Sequence, residues 1–205
     1  MVETPLAREK TIALFLDGIA VICHLTGEFS GSDWAEPTPC NGWQALDVAG
    51  HLRCLAENCH EYLDEAPNSR LARLMSRDPP LEELNQQLAR QNAAALAALP
   101  SASGPEHVAA FAESARAYAA RLRQHWHTLL YTYRGVGCTA GDHGGAMAVE
   151  WHLHAWDLAH ALRADYSPRD ADMLVAAWRA GMPWAPIGGG DPWQAVLEAA
   201  GRPVE

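Results

Sequence analysis

The chain has 205 residues, of which 49% are hydrophobic and 20% are charged, a composition typical of a globular protein and not of a disordered or fibrous one. Its 25 acidic residues outnumber its 15 Lys and Arg residues, giving a formal net charge of −10 at pH 7. This excess argues against a nucleic-acid or anionic-membrane surface, because few basic groups are available to neutralise phosphates. Ten histidines are the first indication of imidazole or metal chemistry.

The five cysteines are odd in number and form no C-x-x-C pair, so we interpret them as small buried thiols in a reducing cytosol. The most apolar early run, 12–25, is interrupted by Asp17 and His24 and is shorter than the about 20 residues of a membrane span. Its start lacks the features of a signal peptide. We expect a cytoplasmic protein without a membrane segment. The cysteines are Cys23, Cys40, Cys54, Cys59 and Cys138.

Almost every periodic segment has the apolar spacing of a helix. Five longer helices and two short ones are expected, the short ones opening at Ser167-Pro168 and at Asp191-Pro192, where a capping residue precedes proline. The second short helix should end at Gly201. The longer helices are predicted over about 6–25, 44–63, 81–99, 106–129 and 146–163.

The segments between these helices are predicted to be irregular. Residues 129–138 have strand-like composition but no evident partner, so we expect an extended connection. Residues 141–145 are glycine-rich and predict a turn, with Asp142 as a candidate cap. The chain therefore reads as one all-α domain over 1–205, a four-helix bundle with additional short helices. Its core covers about 8–165 and a helical extension covers 166–205.

Glu150 and His154 lie four residues apart on one predicted helix, so they project from the same face. A carboxylate and an imidazole are typical ligands of zinc and similar divalent metals. His51, beside an apolar stripe on another helix, is the best candidate for a third ligand, and three ligands leave the open position of a catalytic site. The alternative is an ordinary i,i+4 pair and a hydrogen-bonded core histidine.

Two sequence blocks resemble the mycothiol-dependent maleylpyruvate isomerase family, within the DinB-like metalloenzyme superfamily. The first, PTPCNGWQALDVAGHL over 37–52, follows T-x-C-x-G-W-x-x-x-D-x-x-x-H-L. The second, EWHLHAWDLA over 150–159, follows E-x-x-x-H-x-W-D-L-A. The resemblance extends over about 8–165, although only these two blocks are sharp.

The resemblance implies a DinB-like four-helix bundle that binds a divalent metal, usually zinc, through His51, Glu150 and His154. It also implies mycothiol or another low-molecular-weight thiol as cosubstrate, acting on a small organic molecule. A metal-bound thiol is readily deprotonated, and its thiolate could add to an alkene, permit rotation and leave. If the thiol stays attached, the enzyme is an S-transferase. The family prototype has a second C-terminal domain for substrate binding, which 166–205 is too short to supply, so its substrate is not carried over.

Several further residues have both a functional and a structural interpretation. His125, on an apolar stripe, is a candidate catalytic acid or base or a core histidine. Asp157 is a candidate catalytic-site residue that orients His154, whereas Asp47 either orients His51 or complements its helix dipole. Cys40 is either a nucleophile or, as we favour, a packing thiol. Trp184 could cover a pocket mouth.

Two rival functions stay open. One is a thiol-independent metal-dependent tailoring enzyme of specialised metabolism, in which the open metal position polarises a carbonyl or activates water. The other is a non-catalytic helical binding module. We expect a small-molecule substrate and neither a nucleic-acid nor a membrane partner, and the sequence leaves a homodimer open.

Overall fold

A computed structural model describes residues 6–40 and 42–202, and these are mostly helical, as predicted. A short 3₁₀ helix, Asp33–Ala35, lies in the loop after the first helix. The helices are α1 (Arg8–Gly27), α2 (Ala45–Asp64), α3 (Arg70–Met75), α4 (Leu81–Ala98), α5 (Gly104–His125), α6 (Ala140–Ala161), α7 (Ala171–Gly181) and α8 (Pro192–Ala199). The strands are β1 (Leu129–Tyr133) and β2 (Val136–Thr139).

The long helices α1, α2, α5 and α6 form the bundle, with α1 packed on α5 and α6 and α2 packed on the same two helices. Aromatic rings join them at the centre. The Trp151 ring of α6 lies 5.6 Å from the Phe15 ring of α1 and 4.9 Å from the Phe111 ring of α5, both in edge-to-face geometry. All three side chains are fully buried, so this cluster fixes α6 against its neighbours.

Helix α1 is long and apolar enough, by length and mean hydropathy alone, to cross a membrane. In the fold its apolar side chains instead pack inside the protein. Ile12, Phe15, Ile19 and Ile22 are buried in the core of the bundle. This packing is the one expected of a core helix.

The segment that we expected to be an isolated extended connection is a β-hairpin, so that prediction was wrong. Strands β1 and β2 pair antiparallel, with Tyr133 opposite Val136. Arg134 and Gly135 join them, with φ angles of 50° and 77°. Two successive positive φ values match the twist of a tight two-residue hairpin turn. The chain therefore reverses at Arg134 and Gly135, and the partner of β1 is the strand that follows directly.

The glycine-rich turn predicted over 141–145 is instead the first part of α6, which begins at Ala140. Thr139 caps it: the Asp142 amide donates to Thr139 Oγ1 at 3.3 Å, and the Thr139 amide donates to Asp142 Oδ2 at 2.9 Å. Asp142 is therefore the third residue of a capping box rather than the cap. A Cβ at Gly141 would lie 2.5 Å from the Trp126 ring, so close packing explains a glycine inside this helix.

The C-terminal extension packs on α6 through α7, and α8 packs on α7. Asp191 caps α8 as predicted, accepting from the Gln194 amide at 2.9 Å. The start of α7 differs from the prediction, because Asp170 and not Ser167 is its cap, accepting from the Met173 amide at 3.1 Å. Both residues are good caps, and the apolar face that packs on α6 begins only after Asp170.

Gly18 tests the packing of α1 on α6. A Cβ at this position would lie 2.7 Å from Trp151 Cβ, an atom fixed close to the backbone of α6. We expect Gly18→Ala to lower the free energy of unfolding by about 1–3 kcal/mol, as overpacking does, measured by chemical denaturation. Gly27→Ala is the matched control at the end of the same helix, where a Cβ meets nothing within 4 Å. Equal stability of both variants would contradict this packing.

Candidate metal centre

Three residues that were predicted as metal ligands come together at one point of the bundle. His51 comes from α2, and Glu150 and His154 come from successive turns of α6. Each offers one ligand atom, and these atoms all lie within 4.8 Å of one another. His51 and His154 are buried, whereas Glu150 is half-buried.

The two imidazoles carry buried nitrogens that no described residue satisfies. His51 Nδ1 and His154 Nε2 are both inaccessible and make no hydrogen bond within residues 6–40 and 42–202. His154 Nε2 lies 3.6 Å from Glu150 Oε2, and the two imidazole rings stand nearly perpendicular, 5.1 Å apart. An unpaired buried polar atom costs about 1–3 kcal/mol. A divalent cation bound by either of these atoms would remove the cost of burying that atom, so the residues fit such an ion.

The charge state of His51 also suits a ligand. Burial lowers the pKa of His51 well below its usual value, and the positive charge of Arg202 adds to the effect. The ring is therefore neutral at physiological pH, and the neutral imidazole is the form that binds metals.

His154 is held in a defined orientation by a buried carboxylate. Its Nδ1 donates to Asp157 Oδ2 at 2.9 Å, which leaves the lone pair on Nε2, beside Glu150. A metal-ligating histidine is commonly fixed in this way through its other nitrogen. Asp157 therefore acts through His154, and its place in the site is that of a positioning residue.

Arg202, beyond α8, holds Asp157 in turn. Its Nη2 donates to Asp157 Oδ2 at 2.8 Å and its Nε to Oδ1 at 3.3 Å. Burial on its own raises the pKa of Asp157, but the hydrogen bonds and charges of His154 and Arg202 outweigh it and lower the pKa. The carboxylate stays ionised, so Arg202, Asp157 and the Nδ1 side of His154 form a hydrogen-bonded chain behind the candidate metal centre.

The surroundings of Asp47 and Cys40, two further candidates, indicate structural roles. Asp47 accepts from the Gln44 amide at 3.0 Å in the capping box of α2, so the structure favours its helix-terminal reading over orientation of His51. Cys40 is half-buried, and burial together with the charge of Asp157 raises its pKa to about 11. A protonated thiol agrees with a packing role for Cys40 rather than a nucleophilic one.

His125 is not brought to the metal centre. It is the last residue of α5 and is half-buried. It is absent from the lining of the cavity beside the three ligands. The apolar stripe of α5 ends before this residue, so its position gives no support to the predicted catalytic role.

A cavity of about 390 Å³ opens beside the metal centre, with His51 and Glu150 in its wall. Helix α4 forms one side of it through Leu81, Leu88 and the amide side chain of Asn85, although Leu84 is the one residue of α4 that is buried. Trp184 also lines the cavity, as its predicted place at a pocket suggested, and packs against Tyr133 with ring centroids 4.9 Å apart.

Sequence reasoning missed two residues of this region. Arg202 follows Asp157 by 45 residues and belongs to no motif, so no local signal could have found it. His143 lines the cavity and lies seven residues before Glu150 on α6. That i,i+7 spacing, which continues the face of Glu150 and His154, was a usable signal, but the predicted turn over 141–145 concealed it.

The fold and the site define a helical bundle with a candidate metal centre between two of its long helices. The family model of the mycothiol maleylpyruvate isomerase N-terminal domain matches residues 16–159, which contain all three candidate ligands. The chain therefore belongs to this family. Comparison with curated proteins and with solved structures gives no match.

Arg202 provides a test of the network behind the centre. We expect Arg202→Met to weaken zinc affinity by about tenfold, because a less firmly held Asp157 orients His154 less well. Arg202→Lys should weaken it less, since a cation is kept. Competition with a chromogenic chelator measures the affinity. Arg179→Met, on the exposed side of α7, is the control. Unchanged affinity in Arg202→Met would show that the contact does not support the ligand.

Proposed function

We propose that this protein is a zinc-dependent enzyme that uses a low-molecular-weight thiol, mycothiol in the first instance, to attack a small electrophilic organic molecule. The observation that carries the proposal is the pair of buried, unpartnered imidazole nitrogens of His51 and His154, set beside the Glu150 carboxylate at a cavity. Membership of the family supports the choice of thiol.

The three side chains would hold the ion, and each is suited to its part. His51 is neutral because of its burial, and His154 presents Nε2 because Asp157 occupies Nδ1. A zinc ion with three protein ligands keeps an open position, where it lowers the pKa of a bound thiol and supplies thiolate at neutral pH. Glu150 contributes one negative charge that offsets part of the charge of the cation.

The cavity walls give the reaction partly apolar surroundings. Leu55, Met147 and Trp178 line it alongside the ligands, and its volume of about 390 Å³ lies within the range of small-molecule sites. In apolar surroundings a thiolate is less stabilised by hydration than in water, so it is more reactive. The apolar wall also favours a substrate with an apolar body.

Thiolate attack can lead to two products, and atoms and electrons are conserved in both reactions. In the first, sulfur adds to one carbon of an activated alkene and the electron pair moves to the activating carbonyl. Rotation about the resulting single bond and loss of the thiolate then restore the alkene as its geometric isomer, with nothing consumed. In the second, the carbon next to the activating group takes up a proton, the carbon–sulfur bond is kept, and the thiol is transferred.

We place this reaction in the cytoplasm. All five cysteines are free thiols, three of them buried, and none is paired in a disulfide. Free thiols persist in reducing compartments, where low-molecular-weight thiols are also kept reduced. The cysteine pattern and the proposed cosubstrate therefore fit the same location.

Metal analysis tests the centre itself. Purified wild-type protein should contain about one zinc ion per chain, and His51→Ala should lose most of it because two ligands bind weakly. His125→Ala is the matched control, since His125 lies outside the cavity lining. Circular dichroism confirms that each variant is folded. Equal zinc content in wild type and His51→Ala would discard the three-ligand centre.

Thermal unfolding with and without thiol tests the cosubstrate. Mycothiol at 100 times its dissociation constant should stabilise the zinc-loaded protein by about 2.7 kcal/mol, seen as a higher melting temperature. S-methylated mycothiol, which cannot form a thiolate, should give a smaller shift. If neither mycothiol nor glutathione at millimolar concentration shifts the transition, the thiol-independent metal enzyme becomes the better description.

A further inference from the structure

A second histidine of α6 lies in the cavity but outside the candidate metal centre. His143 precedes Glu150 by seven residues, so the two side chains share one face of the helix about two turns, or about 10 Å, apart. The His143 side chain is 3% exposed and lines the same cavity as His51 and Glu150. This buried polar ring has no part in the proposed reaction at the metal centre.

Tyr118 of α5 fixes one nitrogen of this ring. The Tyr118 hydroxyl lies 3.3 Å from His143 Nδ1, and Tyr118 is completely buried. Within residues 6–40 and 42–202 the structure gives the phenol no other hydrogen-bond partner. If Nδ1 carried the proton, the Tyr118 O–H would be buried without an acceptor, at a cost of about a hydrogen bond. The hydroxyl therefore donates to Nδ1.

This direction of the hydrogen bond sets the tautomer of His143. With Nδ1 as acceptor, a neutral ring carries its proton on Nε2, which is then a donor. Burial lowers the pKa of His143 to about 4, so the ring is neutral at physiological pH. No described protein group pairs with Nε2, and the ring lines the cavity, so this N–H is available to a ligand.

Neighbouring groups reinforce a donor surface. The Tyr62 ring stands perpendicular to the His143 ring with centroids 5.7 Å apart, and burial raises the pKa of Tyr62 to about 12. The charge of Arg70, which also lines the cavity, offsets part of this rise in the pKa of Tyr62. The two described aromatic neighbours of the His143 ring, Tyr118 and Tyr62, are thus protonated phenols, and the Arg70 guanidinium lies near Tyr62, whereas the carboxylate of Glu150 lies about two helical turns away along the cavity. The phenols and the guanidinium present hydrogen-bond donors and carry no negative charge.

We propose that His143, positioned by Tyr118, binds an oxygen acceptor of the substrate at the end of the cavity away from the metal centre. The inference rests on the proposed function, since it takes the reacting carbon to be at the metal end. The substrate class that follows is a small molecule with an apolar body about two helical turns long. It carries a carbonyl or carboxylate oxygen at one end and an electrophilic carbon at the other.

The apolar body is inferred from the residues between the two ends. Met147, on α6 between His143 and Glu150, lines the cavity, and Met75 and Trp178 line it from α3 and α7. Methionine side chains adapt to the shape of an apolar ligand. A buried N–H in such surroundings discriminates strongly against a ligand that leaves it unpaired.

Binding of two model compounds to the zinc-loaded full chain tests this proposal. The probes are 4-phenylbutanoate, which carries a carboxylate, and 4-phenylbutan-2-one, which carries an uncharged carbonyl. We expect His143→Phe to weaken binding of at least one probe by about tenfold, because the ligand oxygen loses its donor. His143→Gln, whose amide nitrogen can replace Nε2–H, should restore most of the affinity. The ketone arm tells a neutral acceptor from a need for negative charge.

Imidazole ¹⁵N spectra of the wild-type protein give a second measurement that does not depend on a folded variant. At pH 7 His143 should show the Nε2–H tautomer, Tyr118→Phe should perturb it, and the bound probe should shift the Nε2 resonance. An Nδ1–H tautomer would overturn the proposal. So would an unshifted resonance with both probes at 10 mM, or equal affinity of wild type and His143→Phe.

The same variants separate this proposal from the proposed function. His143→Phe should keep its zinc content and its thermal response to mycothiol, because His51, Glu150 and His154 are untouched. If wild type fails to bind zinc or thiol, the proposed function fails while the tautomer and probe results still judge His143. If zinc and thiol bind but the His143 results are negative, only the assignment of the acceptor site fails.

Discussion

The structure buries two polar atoms that the described part of the chain does not pair with a group of its own. Two imidazoles are buried in the bundle, and each keeps one nitrogen without a partner within residues 6–40 and 42–202. Folding removes these atoms from water, and packing alone does not repay that cost. The rest of the bundle, including the ring cluster around Trp151, holds α6 against its neighbours firmly enough to keep the arrangement. A cation bound by these side chains would turn part of this cost into affinity.

The polar groups around the candidate metal centre fall into two sets, those that orient a candidate ligand and those that reach the cavity. Asp157 and Arg202 are paired with each other and with His154, so they orient a ligand without offering an atom to the cavity. His51 and Glu150 reach the cavity wall. At the other end of the same face of α6, His143 and Tyr118 are paired in the same manner, with one ring nitrogen left over. In both places a buried hydrogen bond fixes which nitrogen of the histidine ring is left without a protein partner among the described residues.

Much of the candidate site could be anticipated from the sequence because its information is local. Glu150 and His154 are one helical turn apart, and the sequence blocks around them and His51 pointed to the family that the chain belongs to. What could not be anticipated depends on tertiary packing. Arg202 reaches Asp157 only because α7 and α8 fold back, and no periodicity marks it. His125 carries a periodic signal, yet the end of α5 leaves it away from the cavity.

The errors in the fold have equally physical causes. Glycines usually predict turns, but those at the start of α6 are required by the close approach of Trp126 and other side chains, which overrides their low helix propensity. The hairpin was missed because Arg134 gives no turn signal of the Asn-Gly kind, although Gly135 completes the turn. In both cases a residue type was interpreted by its average preference, whereas its neighbours in space decided its conformation.

The light anchoring of α4 has a consequence for how this fold diversifies. The helix contributes one wall of the cavity, but Leu84 is its one buried residue. The candidate metal ligands lie on other helices. Residues along that wall can therefore be exchanged with little penalty to folding and none to the ligand set. Such substitutions would reshape the cavity while the three candidate metal ligands keep their places.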